Sequence, residues 1–175
     1  MKRILAFLIV ILMLSGQALA QEGKEPPKAK APESPVAGRV RTFILGVGLG
    51  YMNDPDMGHG MISLDYYVTN EISVGPYFYF GGSGNNSYWA FAGQVKFCGT
   101  LVGHPDIHPY AFVGVGFIEP DFAKNSGDTQ MTYLFPAGIG IEFDLTDIIF
   151  LYGESTFMLT EEPFSGLTIG IRILL

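Results

Sequence analysis

Six ionisable residues stand isolated in stretches that are otherwise apolar, glycine-rich or aromatic: Asp65, Lys96, Glu142, Asp144, Glu154 and Arg172. Opposite charges embedded in apolar sequence can neutralise one another as a buried ion-pair network, or they can line a narrow path for ions. Hydrolytic chemistry asks for more: a nucleophile, a base and an orienting group within hydrogen-bond reach. His104 and His108 fall in or beside a connecting turn, and His59 lacks a neighbouring serine and acid on the outward face, so no enzyme is expected. No cofactor or metal site is expected either. The acidic residues Asp54, Asp56, Glu119, Asp121, Asp128, Glu161 and Glu162, set against Lys124, match no complete calcium loop and read as a solvated rim. Cys98 is the only cysteine, so no intrachain disulfide is available.

The scaffold that must position the six charges shows in a period of two. Large apolar residues alternate with small, polar or tyrosine residues over 39–51, 59–69, 71–81, 88–101, 108–117, 131–145, 148–159 and 167–175. In the first segment Phe43, Leu45, Val47, Leu49 and Tyr51 alternate with Gly46, Gly48 and Gly50; in the last, Leu167, Ile169, Ile171 and Ile173 alternate with Thr168, Gly170 and Arg172. All six charges fall on the face opposite the large apolar residues. A soluble sandwich also alternates, but its solvated face would carry many Lys, Glu and Thr. Glycines, tyrosines and isolated charges suit the cramped interior of a narrow barrel. Each segment is also close to the roughly 9–11 residues of a tilted membrane strand. The expected fold class is all-β, an eight-stranded antiparallel up-and-down transmembrane β-barrel over 39–175. Arg172 on the eighth strand then stands beside Glu154 on the seventh.

The start of the chain supplies an address. Lys2 and Arg3 precede an apolar run over 4–14 and then Ala18-Leu19-Ala20. This is the pattern of a secretory signal peptide, expected to be cut after Ala20. A membrane helix would need roughly 20 apolar residues, and no cysteine at the cut offers a lipid attachment point. Residues 21–38 are rich in Pro, Lys, Glu and Ala and read as a disordered periplasmic linker. Residues 39–175 hold five basic against fourteen acidic side chains, which speaks against a nucleic-acid partner.

With the N-terminus periplasmic, outward Tyr51, Phe78, Phe80, Trp89, Phe91, Phe117, Tyr133, Phe135 and Phe157 fall near the outer rim. Phe43, Tyr66, Phe97 and Phe143 fall near the inner rim. Two aromatic girdles around an aliphatic belt are the lipid-facing pattern, because amphipathic rings favour the interface. Tight turns at Thr69-Asn70 and Thr146-Asp147 and a longer one over 103–107 are expected on the periplasmic side, with loops over 53–58, 82–86, 119–130 and 160–166 on the other. Pro76 and Pro136 each remove a ladder donor, so a bulge or a strand end is expected at both.

The pieces HPYAFVGVGF over 108–117, AGIGIEFDLTD over 137–147, YGE over 152–154 and the closing 167–175 carry a resemblance. They resemble the family of small outer-membrane β-barrels that includes OmpX, OmpW and the OmpA membrane domain. The resemblance implies a Gram-negative outer-membrane location. It also implies a final strand read by the barrel-assembly machinery, usually ending in an aromatic where this chain has Leu175. The partners expected are outer-membrane lipids and lipopolysaccharide, with the barrel a monomer. The function expected is a structural or surface-interaction role with an interior plugged by side chains. The alternative is a small porin-like channel for ions or small apolar solutes.

Overall fold

Alternation at period two drives each segment into a strand, because extension gathers the large apolar residues on one side. The computed structural model describes residues 39–53, 56–84, 86–121, 131–161 and 163–175. The expected signal peptide 1–20 and linker 21–38 lie outside the described residues. Eight strands form: β1 (Phe43–Asn53), β2 (Met57–Tyr67), β3 (Ile72–Ser83), β4 (Asn86–Cys98), β5 (Ile107–Asp121), β6 (Thr132–Asp144), β7 (Ile149–Leu159) and β8 (Phe164–Leu174). Each pairs antiparallel with its sequence neighbours, and β1 pairs with β8 from Ile44↔Leu174 to Asn53↔Ser165. The sheet is a closed up-and-down barrel with every strand paired on both sides.

Connections 68–71, 99–106 and 145–148 lie at one end, here the turn end; the strand ends Asn53, Ser83, Asp121 and Leu159 mark the other, the loop end. Two of the turns are built alike. Thr69 Oγ1 accepts hydrogen bonds from the backbone N–H of Glu71 and Ile72 at 3.2 and 3.0 Å. Thr146 Oγ1 does the same for Ile148 and Ile149 at 3.3 and 3.0 Å. A threonine hydroxyl thus takes up the donors that a tight turn leaves free.

The structure corrects the expected boundaries in three places. Arg39 is not in a strand: Arg41 adopts a left-handed φ of 64° and donates its N–H to Tyr67 O at 2.8 Å, which folds Arg39 back under the barrel. At the loop end pairing outlasts the side-chain alternation, since the ladder is made by backbone groups. β3 runs on to Ser83 and β4 begins at Asn86, so the ladder takes up most of the loop expected over 82–86. Neither proline ends a strand or forms a bulge. Pro76 stays opposite Gly93 and Pro136 opposite Met158, and the register resumes unshifted on the other side, at Ser63↔Tyr77 and Gly116↔Leu134. Each missing N–H interrupts pairing with one neighbour only.

Small inward residues make room for large ones. A Cβ on Gly48 would run into the Tyr152 hydroxyl and come within 2.7 Å of Thr168 Cγ2; one on Gly170 would lie 2.7 Å from Tyr152 Cε1. Gly93 faces outward, and a Cβ there would meet nothing within 4 Å. We therefore expect Gly48→Ala to destabilise the barrel by about 1–3 kcal/mol through overpacking. Gly93→Ala should leave it unchanged. Urea unfolding of the refolded variants compares the two directly.

Candidate functional site

The six charges come together inside the barrel at its turn-end half. Lys96 Nζ on β4 lies 2.5 Å from Asp65 Oδ2 on β2, and the Tyr77 hydroxyl donates to the same carboxylate at 3.0 Å. Arg172 on β8 reaches Glu142 on β6 at 2.8 Å and Glu154 on β7 at 3.3 Å. Tyr110 donates to Glu154 at 2.8 Å and accepts from Arg172 at 3.2 Å. The Arg172 guanidinium lies over the ring of Tyr152, 4.1 Å from its centroid. Asp65, Lys96, Glu142, Glu154 and Arg172 are all buried, whereas Asp144 is half-buried at the mouth.

Two further members were not in the expected set. Arg39 reaches Glu142 at 2.5 Å and Asp144 at 3.2 Å, with its guanidinium 4.2 Å from the centre of the Phe150 ring. Glu142 thus bridges Arg39 and Arg172. His108 points inward at the start of β5, and its Nε2 lies 3.0 Å from the Asp144 carboxylate. One signal pointed to both. The expected set opposed four carboxylates to two cations, and a desolvated carboxylate must find a donor.

The loop-end half of the interior has another chemistry. Met52, Met57, Met61, Met158, Tyr88 and Phe164 belong to one buried cluster there. His59 also points inward, its Nε2 2.8 Å from Thr168 Oγ1. Seen from the loop end, a layer of thioethers and rings covers the charged network.

The outer wall bears the aromatic residues singled out above, and none is buried. Phe43 packs on Tyr66 at 5.0 Å between ring centroids at the turn end. Trp89 packs edge-on against Phe117 at 5.7 Å towards the loop end, with Phe91 on the same Phe117 ring at 5.7 Å. Leu49, Leu167 and Ile169 between these levels are 72%, 63% and 63% exposed. Of the acidic rim, Asp56 and Glu161 are exposed; Asp54, Lys124, Asp128 and Glu162 lie outside the described residues, as does the Asp121 side chain. Among the described residues no three His, Cys, Asp or Glu side chains converge to hold a metal.

Arg172→Met removes the shared partner of Glu142 and Glu154. We expect it to cost about 3–5 kcal/mol, the usual cost of leaving a buried charge unpaired. For the simpler pair, Lys96→Met should be similarly damaging, and Lys96→Met with Asp65→Asn should recover most of the loss. Urea midpoints for this double-mutant cycle test the pairing, and equal stability of the Arg172→Met variant would contradict it.

No family profile matches the chain. No curated protein matches it either. Solved structures match in fold. The N-terminal β-barrel domain of Pseudomonas aeruginosa OprF aligns with a TM-score of 0.61 at 13% identity, covering 78% of this chain and 98% of that one. Ail, the attachment invasion locus protein of Yersinia pestis, aligns at 0.54 with 10% identity, covering 77% and 97%. A de novo designed transmembrane β-barrel aligns at 0.53 with 19% identity, covering 78% and 97%. The chain thus has the fold of the small outer-membrane β-barrels, a closed eight-stranded meander.

Proposed function

We propose that the chain is an integral outer-membrane barrel with a structural or surface-interaction role and an interior filled by side chains. The observation that carries this reading is double occlusion. An ion entering from the turn end meets Arg39 and the network behind it, and one entering from the loop end meets the buried methionine and aromatic layer. An eight-stranded barrel is just wide enough for side chains to fill.

Placement in a bilayer rests on the outer wall. An apolar belt around the whole barrel would far exceed the few hundred Å² that soluble proteins expose. Hydrocarbon is its natural solvent, and a closed ladder presents no open strand edge to it. Aromatic rings at both levels suit the two interfaces. The export segment 1–20 and the linker 21–38 put the turn end, with Arg39, on the periplasmic side. Lipids and lipopolysaccharide contact the belt, the assembly machinery reads β8, and the paired edges suit a monomer. A non-enzymatic role accords with the inward direction of His59 and His108. Ail forms a complex with the heparin analogue sucrose octasulfate. The exposed Asp56 and Glu161 here repel such a polyanion, so a different loop partner is proposed.

Planar-bilayer recording of the refolded protein tests the filled interior. We expect no steady single-channel current at any holding potential. Steady open events would overturn the reading in favour of a narrow porin-like channel. Heat-modifiable gel migration, run on the same sample, reports that the barrel under test is folded.

A further inference from the structure

We propose that the loop-end interior binds a soft monovalent metal ion, Cu(I), through Nδ1 of His59 and the thioethers of Met52, Met57 and Met61. Met57, His59 and Met61 occupy alternate positions of β2, so all three project to the inside. Met52 on β1 stands directly opposite Met57. The three methionines are each 1% exposed and His59 is 5% exposed.

The imidazole is held in a particular way. Gly50 lies opposite His59 on β1, and Thr168 lies beyond Gly50 on β8. With no Cβ at Gly50, the ring crosses that strand; a Cβ there would meet the ring at Cε1 and, at 2.7 Å, at Nε2. Nε2 meets Thr168 Oγ1 at 2.8 Å, while Nδ1 is buried with no hydrogen-bond partner. Buried polar atoms are rarely left so, because an unmade hydrogen bond in the interior is costly. One ring nitrogen anchored by an outer partner and the other bare is the arrangement of a metal-binding histidine. Met52 is close by: its Cγ and His59 Cε1 lie 3.2 and 3.3 Å from the same point, a Cβ built on Gly166.

The donor set selects the ion. Thioether and imidazole are soft to borderline ligands that favour Cu(I), whereas Ca²⁺ and Mg²⁺ need oxygen ligands. The interior carboxylates are engaged with cations in the other half of the barrel. Gap-filling would account for methionines in an irregular core. It would not by itself give the buried Nδ1 a partner.

The test is an anaerobic titration of the refolded protein with Cu(I) against the chromogenic chelator bicinchoninate, in a Cys98→Ser background that removes the thiol. The expected result is withdrawal of one Cu(I) per chain, unaffected by excess Zn²⁺. Met52→Leu and Met61→Leu, which conserve volume, should weaken it, and His59→Leu should abolish it. Thr168→Val should weaken binding roughly 10–100-fold by releasing the imidazole. Heat-modifiable migration identifies the folded variants. No withdrawal by the Cys98→Ser protein, or unchanged affinity in the folded methionine variants, would overturn the proposal.

Discussion

The pairing of β1 with β8 satisfies the backbone groups that an open meander would leave bare at its two edges, and the rest of the structure depends on that closure. Unpaired N–H and C=O groups cost several kcal/mol each where no water can reach them, and an open edge also invites association. Closure permits a wall whose outer face is apolar from one aromatic level to the other. It also explains the mildness of the prolines. A strand held from both sides tolerates one interrupted rung, because the neighbouring pairs keep the register.

Closing eight strands leaves little interior space, and that space dictates the inward residues. Where a tyrosine or arginine crosses the axis, a glycine faces it, as Gly48 and Gly170 face Tyr152. The buried ion pairs contribute less to net stability than their number suggests, since desolvation offsets most of the attraction. Their geometry nonetheless disfavours misregistered states. Arg172 must meet Glu142 and Glu154 on two different strands, and a slip of β8 by one residue would turn it towards the outside.

The shared fold says little about what such a barrel does. A designed barrel and two natural ones align over most of this chain at 19% identity or less. The interior of this chain divides into a charged half and a methionine-rich half, and its loop residues are acidic. These are matters of side-chain chemistry carried on the shared backbone plan, the level at which function resides.

The strand count, the direction in which each residue faces and the two aromatic levels were legible in the sequence. All follow from a period of two, which is local. Six members of the charged network were legible as well, because an isolated charge in an apolar strand has to turn away from the belt. Arg39 was not. It enters from outside β1 through the left-handed turn at Arg41, and no periodicity records that. His108 stood at the start of the fifth segment, in or beside a turn, and its Asp144 partner on β6 is set by a register that no local pattern records. His59 was weighed only for hydrolytic chemistry on the outward face, and its contact with Thr168 exists only because β8 closes against β1 beside Gly50. The sequence by itself determined the faces, since facing is set by neighbours in the chain. The tertiary structure decided the partners, since those are set by register between strands and by closure, both distant in sequence.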